Sequence, residues 1–181
     1  MKKIILGALL LVFALSKSYS QLYMTRTGIV KFTSVTSMED INAENDQAYA
    51  AIDAGKKSLA FAVLLKGFIF PKELMQEHFN ENYMESDKYP KATFVGTYTG
   101  EVTSGTDGVY AVTIKGTLTM HGVTRTIEMP ATLEVKGRKI LGHTSFPVVP
   151  EDYNVKIPSL VRDKIQKSLN VTVQIDCENQ K

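Results

Sequence analysis

With Cys177 as its only cysteine, the chain cannot form an intramolecular disulfide. A domain without such staples must be held by its core, and the length is sufficient for one. Cys177 stands on an alternating apolar pattern, which predicts a small half-buried residue rather than a reactive thiol. Histidine is nearly as scarce. His78, His121 and His143 are too far apart for the H-x3-5-H spacing of zinc sites, and no cysteine pair accompanies them. Neither a metal nor a cofactor is expected. There is no G-x-S-x-G elbow, the serines sit in turn-like contexts, and phosphate-cradling glycine loops are missing. Glu151 and Asp152 are adjacent, so on a strand they would point to opposite faces and share no reacting bond. They read as a solvated pair. No ready set of residues for catalysis emerges.

Charge of one sign is missing too. The chain carries 21 basic and 19 acidic residues without a clustered basic face, which argues against nucleic-acid binding. The one long apolar run, Ile4 to Leu15, follows Lys2 and Lys3 and precedes Ser18-Tyr19-Ser20. It is shorter than the roughly 20 residues that span a bilayer. The pattern predicts a signal peptide over residues 1–20, cut before Gln21, with no stable membrane insertion afterwards. No cysteine follows the cut, which argues against a lipid anchor. Three basic residues and no acidic one would leave with it, turning a formal +2 into −1. Residues 21–181 are expected to form one domain, periplasmic or secreted. They contain no repeat, low-complexity tract or linker.

What is present is alternation with period two, the mark of strands with one apolar face. Tyr110, Val112, Ile114, Leu118 and Met120 share a face with Gly116, against Thr113, Lys115, Thr117 and Thr119. Ile127, Met129, Ala131, Leu133 and Val135 repeat the pattern, as do Leu169, Val171, Val173, Ile175 and Cys177. Less regular strands are predicted at 28–32, 48–53, 58–65, 92–99 and 139–147. Turn residues separate several of them, including His121-Gly122 and Lys136-Gly137-Arg138. About eight strands with short turns describe an antiparallel sheet closed on itself, which removes exposed edges. Pro71 and Pro158 each open a short helix. Leu74, Met75, His78 and Phe79 form one face of the first; Leu160, Val161 and Ile165 form a stripe on the second.

A sheet of this size is either filled by its own side chains or holds one small ligand, and periodicity alone leaves both open. Gly116 on the inward face, with Met75, Met120 and Met129, is compatible with space for an adaptable apolar guest. Ordinary core packing accounts for the same residues.

Two segments carry a resemblance. One runs from Lys66-Gly67-Phe68-Ile69-Phe70-Pro71 through His78-Phe79-Asn80-Glu81-Asn82-Tyr83 to Lys88-Tyr89-Pro90-Lys91-Ala92-Thr93-Phe94; the other is Gly116 to Thr124, with its L-T-x-H-G-V-T run. Together with 27–32 and 151–153, they are similar to the YceI-like family of lipid- or polyisoprenoid-binding proteins. The resemblance covers nearly all of residues 21–181. It departs from the family at Lys66 to Phe70, where members more often carry a serine- and arginine-containing approach to the helix.

The resemblance implies a mainly β fold: an extended, lipocalin-like antiparallel barrel of about eight strands with one or two short helices, whose interior holds a long apolar chain. The function expected is that of an exported, non-catalytic protein binding an apolar lipid or polyisoprenoid. Candidate cavity residues are Phe61, Val63, Tyr110, Val112, Ile114, Leu118, Met120, Ile127, Met129, Leu133, Val171 and Val173, with Leu74, Met75 and Phe79 covering the open side. The alternatives are an envelope or stress-related structural protein with a solid core, and a barrel enzyme using His121 or His78, which would need a carboxylate or nucleophile beside the histidine.

Overall fold

The computed structural model describes residues 21–180; the predicted signal segment lies outside them. Eight strands follow one another around a closed barrel: β1 (Leu22–Val35), β2 (Asp40–Asp53), β3 (Ser58–Leu64), β4 (Lys91–Thr99), β5 (Gly108–Met120), β6 (Val123–Lys136), β7 (Lys139–Val148) and β8 (Leu169–Asn179). Each runs antiparallel to the next, and β8 returns to pair with β1. The expected fold class is therefore found. Alternation drives it. In β5 and β6 the inward residues Val112, Ile114, Met129, Ala131, Leu133 and Val135 are buried. These strands pair without a register break from Gly108↔Val135 to Met120↔Val123. His121 (φ +51°) and Gly122 (φ +75°) join them, the left-handed pair that a two-residue hairpin of matching twist requires.

β1 and β2 extend well beyond the predicted 28–32 and 48–53. The reason is two register shifts, between Thr25 and Gly28 and between Gly28 and Val30. Each inserts a residue and flips which positions face inward. On β2 the inward set changes from Ala43 and Asn45 to Ala48, Ala50 and Ile52. Asn45 is 1% exposed yet satisfied: its Nδ2 donates to the Leu64 carbonyl at 2.9 Å and its Oδ1 accepts from the Gln47 amide at 2.8 Å. A buried amide and a phase change together hide the strand from a pattern search.

The second predicted helix is corrected to a 3-10 turn, Ser159–Lys164. With three residues per turn, Val161 and Lys164 share a face, and Leu160 is turned out to 92% exposure. The expected stripe is thus split. The first helix is α1 (Glu73–His78), which loosens into a π-turn, Phe79–Tyr83. Glu151 and Asp152 lie in another 3-10 turn, Pro150–Tyr153, rather than on a strand. They are not simply solvated: Glu151 pairs with Arg162, and the Asp152 carbonyl accepts from Arg125 Nε at 3.0 Å.

The barrel is filled unequally along its axis. At the end where β1 starts, Tyr23, Ile52, Tyr98, Val135, Ile140 and Cys177 pack in a solid core, each at most 4% exposed. Cys177 is wholly rather than half buried, and burial pushes its thiol up to about 12. At the other end a second cluster, including Val63, Leu65, Phe68, Phe70, Tyr153 and Val155, seals the barrel with loops and turns.

Candidate functional site

Between these tiers lies a cavity of about 560 Å³, within the range of roughly 300–1,000 Å³ common for ligand pockets. Its walls are apolar almost throughout. Phe61, Val63, Ile114, Leu118, Met120, Met129, Leu133, Val171 and Val173 contribute to them from the strands, and Leu74, Met75 and Phe79 contribute at the mouth. Tyr110, Val112 and Ile127 lie outside the lining. They face inward as predicted, but toward the solid tier; the Tyr110 hydroxyl turns back to donate to the Thr106 carbonyl at 3.1 Å. Alternation finds the face of a strand and is blind to position along the barrel axis.

Gly116 does not open space. It stands opposite Gly96, and a Cβ on it would come within 2.6 Å of Gly96 Cα and of the Phe94 ring. The two glycines let β4 and β5 approach while Phe94 lies over them. Phe94 is itself part of the cavity wall, with Phe32, Ile41, Phe146, Ile157, Val161 and Ile165, none of them foreseen as lining. Phe32 shares its face with Gly28, Val30 and Ser34, a row too poor in apolar side chains to stand out. Ile157, Val161 and Ile165 lie in a segment without a regular period.

The mouth is built from three stretches of chain. The segment from Leu65 to Phe70 lies against β2, with backbone hydrogen bonds in both directions between Ile69 and Glu44 at 2.8 and 3.1 Å. It delivers Phe68 and Phe70 into a cluster with Phe32 and Phe79. Phe79 stacks on Phe32 with ring centroids 5.6 Å apart and meets Phe70 at 5.1 Å. The stretch from Leu65 to Phe70 thus supplies a large part of the aromatic closure. Across the opening, Lys72 donates to Glu39 at 2.9 Å, and Lys164 stands 3.8 Å from the other oxygen of the same carboxylate. The hydrogen bond from Lys72 holds the Glu39 carboxyl below its ordinary range.

The loop after the π-turn is fastened by internal bonds and by His121. Ser86 Oγ donates to Asn80 Oδ1 and the Ser86 amide to the Asn80 carbonyl, both at 2.8 Å. His121, 9% exposed, reaches the Tyr153 carbonyl through Nδ1 at 3.0 Å and Glu85 Oε2 through Nε2 at 2.8 Å. Tyr89 packs edge-on against the imidazole at 4.6 Å, and a Cβ on Gly122 would meet the same tyrosine ring at 2.8 Å. The two segments that carry the resemblance are therefore one contact. They lock the loop, the β5–β6 hairpin and the Pro150–Tyr153 turn together.

The histidine chemistry weighed from the sequence looks different in this light. His121 has a carboxylate beside it, yet both ring nitrogens are occupied and the residue is not among those lining the cavity. His78 is at the mouth and exposed, and His143 is exposed on β7. Among the described residues no three His, Cys, Asp or Glu side chains gather as a metal set, and no helix is long and apolar enough to cross a membrane. A solid core describes only one tier of the barrel.

No curated protein matches the sequence. Solved structures do match the fold. A polyisoprenoid binding domain from Saccharophagus degradans, implicated in plant cell wall breakdown, superposes with a TM-score of 0.75 at 15% identity, over 88% of this chain and 99% of that one. BcnA of Burkholderia cenocepacia gives 0.69 at 16% identity, over 82% and 95%. The YceI protein of Campylobacter jejuni gives 0.61 at 15% identity, over 77% and 85%. At the level of sequence, the YceI-like domain matches residues 14–178, which cover the whole barrel except Asn179, the last residue of β8, and the chain therefore belongs to the YceI-like family.

Proposed function

We propose that the protein is an exported, non-catalytic carrier that holds an apolar lipid or polyisoprenoid inside its barrel. The observation that carries this reading is the cavity of about 560 Å³, walled by phenylalanine, leucine, isoleucine, valine and methionine and reached past a mouth of short turns. Each methylene moved from water into such a space contributes roughly 0.8 kcal/mol, so a long chain binds well without directed polar contacts. Methionines at Met75, Met120 and Met129 adapt to chains of different shape. A relative of similar fold is described as a polyisoprenoid binding domain, which supports the same ligand class here. Export rests on the signal pattern of residues 1–20, and a periplasmic or secreted location goes with it.

Native mass spectrometry of protein purified from its own host, followed by organic extraction, tests the reading. A stoichiometric apolar molecule is expected. A ligand-free barrel that takes up no added lipid or isoprenoid would sink it.

A further inference from the structure

Ionisable groups in the cavity lining concentrate at its mouth. Glu39, Lys72, His78 and Lys164 are there, while His143, higher in the barrel, alternates with Gly142 and Thr144 and is exposed. The three permanent charges are unequally matched. Lys72 hydrogen-bonds Glu39 at 2.9 Å, but Lys164, at 3.8 Å, is outside hydrogen-bond distance of that carboxylate. One anion is shared by two cations, so the group carries a net positive charge beside an apolar space. The backbone places both lysines at this rim. Lys72 immediately precedes α1, whose Leu74 and Met75 line the mouth, and Lys164 shares its 3-10 face with Val161, which also lines it. A chain lying in the barrel would end between the two ammonium groups. A neutral head gains little from them; an anionic head neutralises Lys164 and competes with Glu39 for Lys72.

We propose that the occupant is an anionic amphiphile, with its apolar chain in the barrel and a carboxylate or phosphate head held at the mouth by Lys72 and Lys164. This rests on the carrier reading and specifies the class of its ligand. Lys72 is about two thirds exposed and Lys164 a little under half, so the preference is moderate. Pairs of this kind are screened by water, and the expected gain over a neutral head is about fivefold to tenfold.

The test is calorimetric titration of the purified, delipidated protein with hexadecanoic acid, hexadecyl phosphate and hexadecan-1-ol, which share one chain and differ in head. One or both anions should bind about fivefold to tenfold tighter than the alcohol, and the margin should shrink at high salt. Preference for the acid alone or the phosphate alone identifies which head is read. In the K72Q/K164Q double variant the anions should weaken to the level of the alcohol, whose own affinity is unchanged. Glu39→Gln should tighten the anions by removing their competitor, whereas a purely closing role for the three charges would weaken all three ligands together. Equal affinity for all heads, or a preference that survives in the double variant, overturns the proposal while leaving the carrier reading intact. Binding of none of the three overturns the proposal, and the carrier reading falls with it when an added isoprenoid alcohol is not taken up either.

Discussion

His121 Nε2 and Glu85 Oε2 meet at 2.8 Å across the seam between the covering loop and the β5–β6 hairpin. Because Nδ1 faces a carbonyl oxygen, which only accepts, the proton on that side belongs to the imidazole. On the other side Nε2 meets the Glu85 carboxyl, and removing a buried partner of this kind costs about 1–3 kcal/mol. His121→Asn keeps a residue that tolerates positive φ but loses the reach to Glu85. It should lower unfolding stability by about 2 kcal/mol in urea titrations, and a double-mutant cycle with Glu85→Gln should return a coupling of about 1 kcal/mol or more. Additive losses would show that the contact is incidental.

Phe32 and Phe79 form the stacked centre of the aromatic closure. Neither is fully buried, so each truncation to alanine should cost about 2–3 kcal/mol, less than the roughly 3–5 typical of a sealed core. Their cycle should show about 0.5–1.5 kcal/mol of coupling from ring on ring. In contrast with substitutions in the solid tier, Phe79→Ala should also speed release of any bound chain, measurable by stopped-flow exchange. Unchanged release would mean that the closure does not gate the cavity.

Gly96 and Gly116 leave no room for a side chain on either strand. Gly116→Val should therefore force β4 and β5 apart and displace Phe94, costing at least about 3 kcal/mol or abolishing folding. Thr117→Val, one position along on the exposed face, is the control and should be near neutral. A folded, equally stable Gly116→Val protein by circular dichroism and urea titration would refute the packing described.

Cys177 is sealed in the solid tier, and burial raises its thiol from an ordinary 9.0 to about 12. An acid whose folded value lies above its unfolded one is neutral in both states below 9, so it leaves stability unchanged there. Between 9 and 12 only the unfolded chain ionises, and stability falls as pH rises. Cys177→Ala should flatten that fall in urea titrations over the same range. At neutral pH the native thiol should resist an aromatic disulfide reagent and react fully once the chain is unfolded. Fast reaction of the native protein would contradict the burial.

The features legible in the sequence are those set by strictly local rules. Val112, Ile114, Met129 and Leu133 sit on uninterrupted strands, so period two was enough to turn them inward. The His121-Gly122 hairpin followed from turn chemistry. Where a bulge intervened, as between Thr25 and Val30, the same rule lost its phase and the reach of β1 and β2 was cut short. Tyr110 and Val112 expose a second limit, because the depth of a residue along a barrel depends on register between strands distant in sequence. Lys72, Glu39 and Lys164 show a third. Their proximity arises only when β2, α1 and a 3-10 turn converge, and nothing local announces it.

The pairing of β8 with β1 has a consequence for how the molecule is made. Until Leu169–Asn179 have left the ribosome, β1 and β7 each present an unpaired edge. The closing contacts join the two extremes of the barrel sequence, the kind of long-range pairing that slows folding. A nascent chain thus stays an open sheet through nearly its entire synthesis. Loss of the eleven residues of β8 would strand it there, with two adhesive borders and an exposed apolar face.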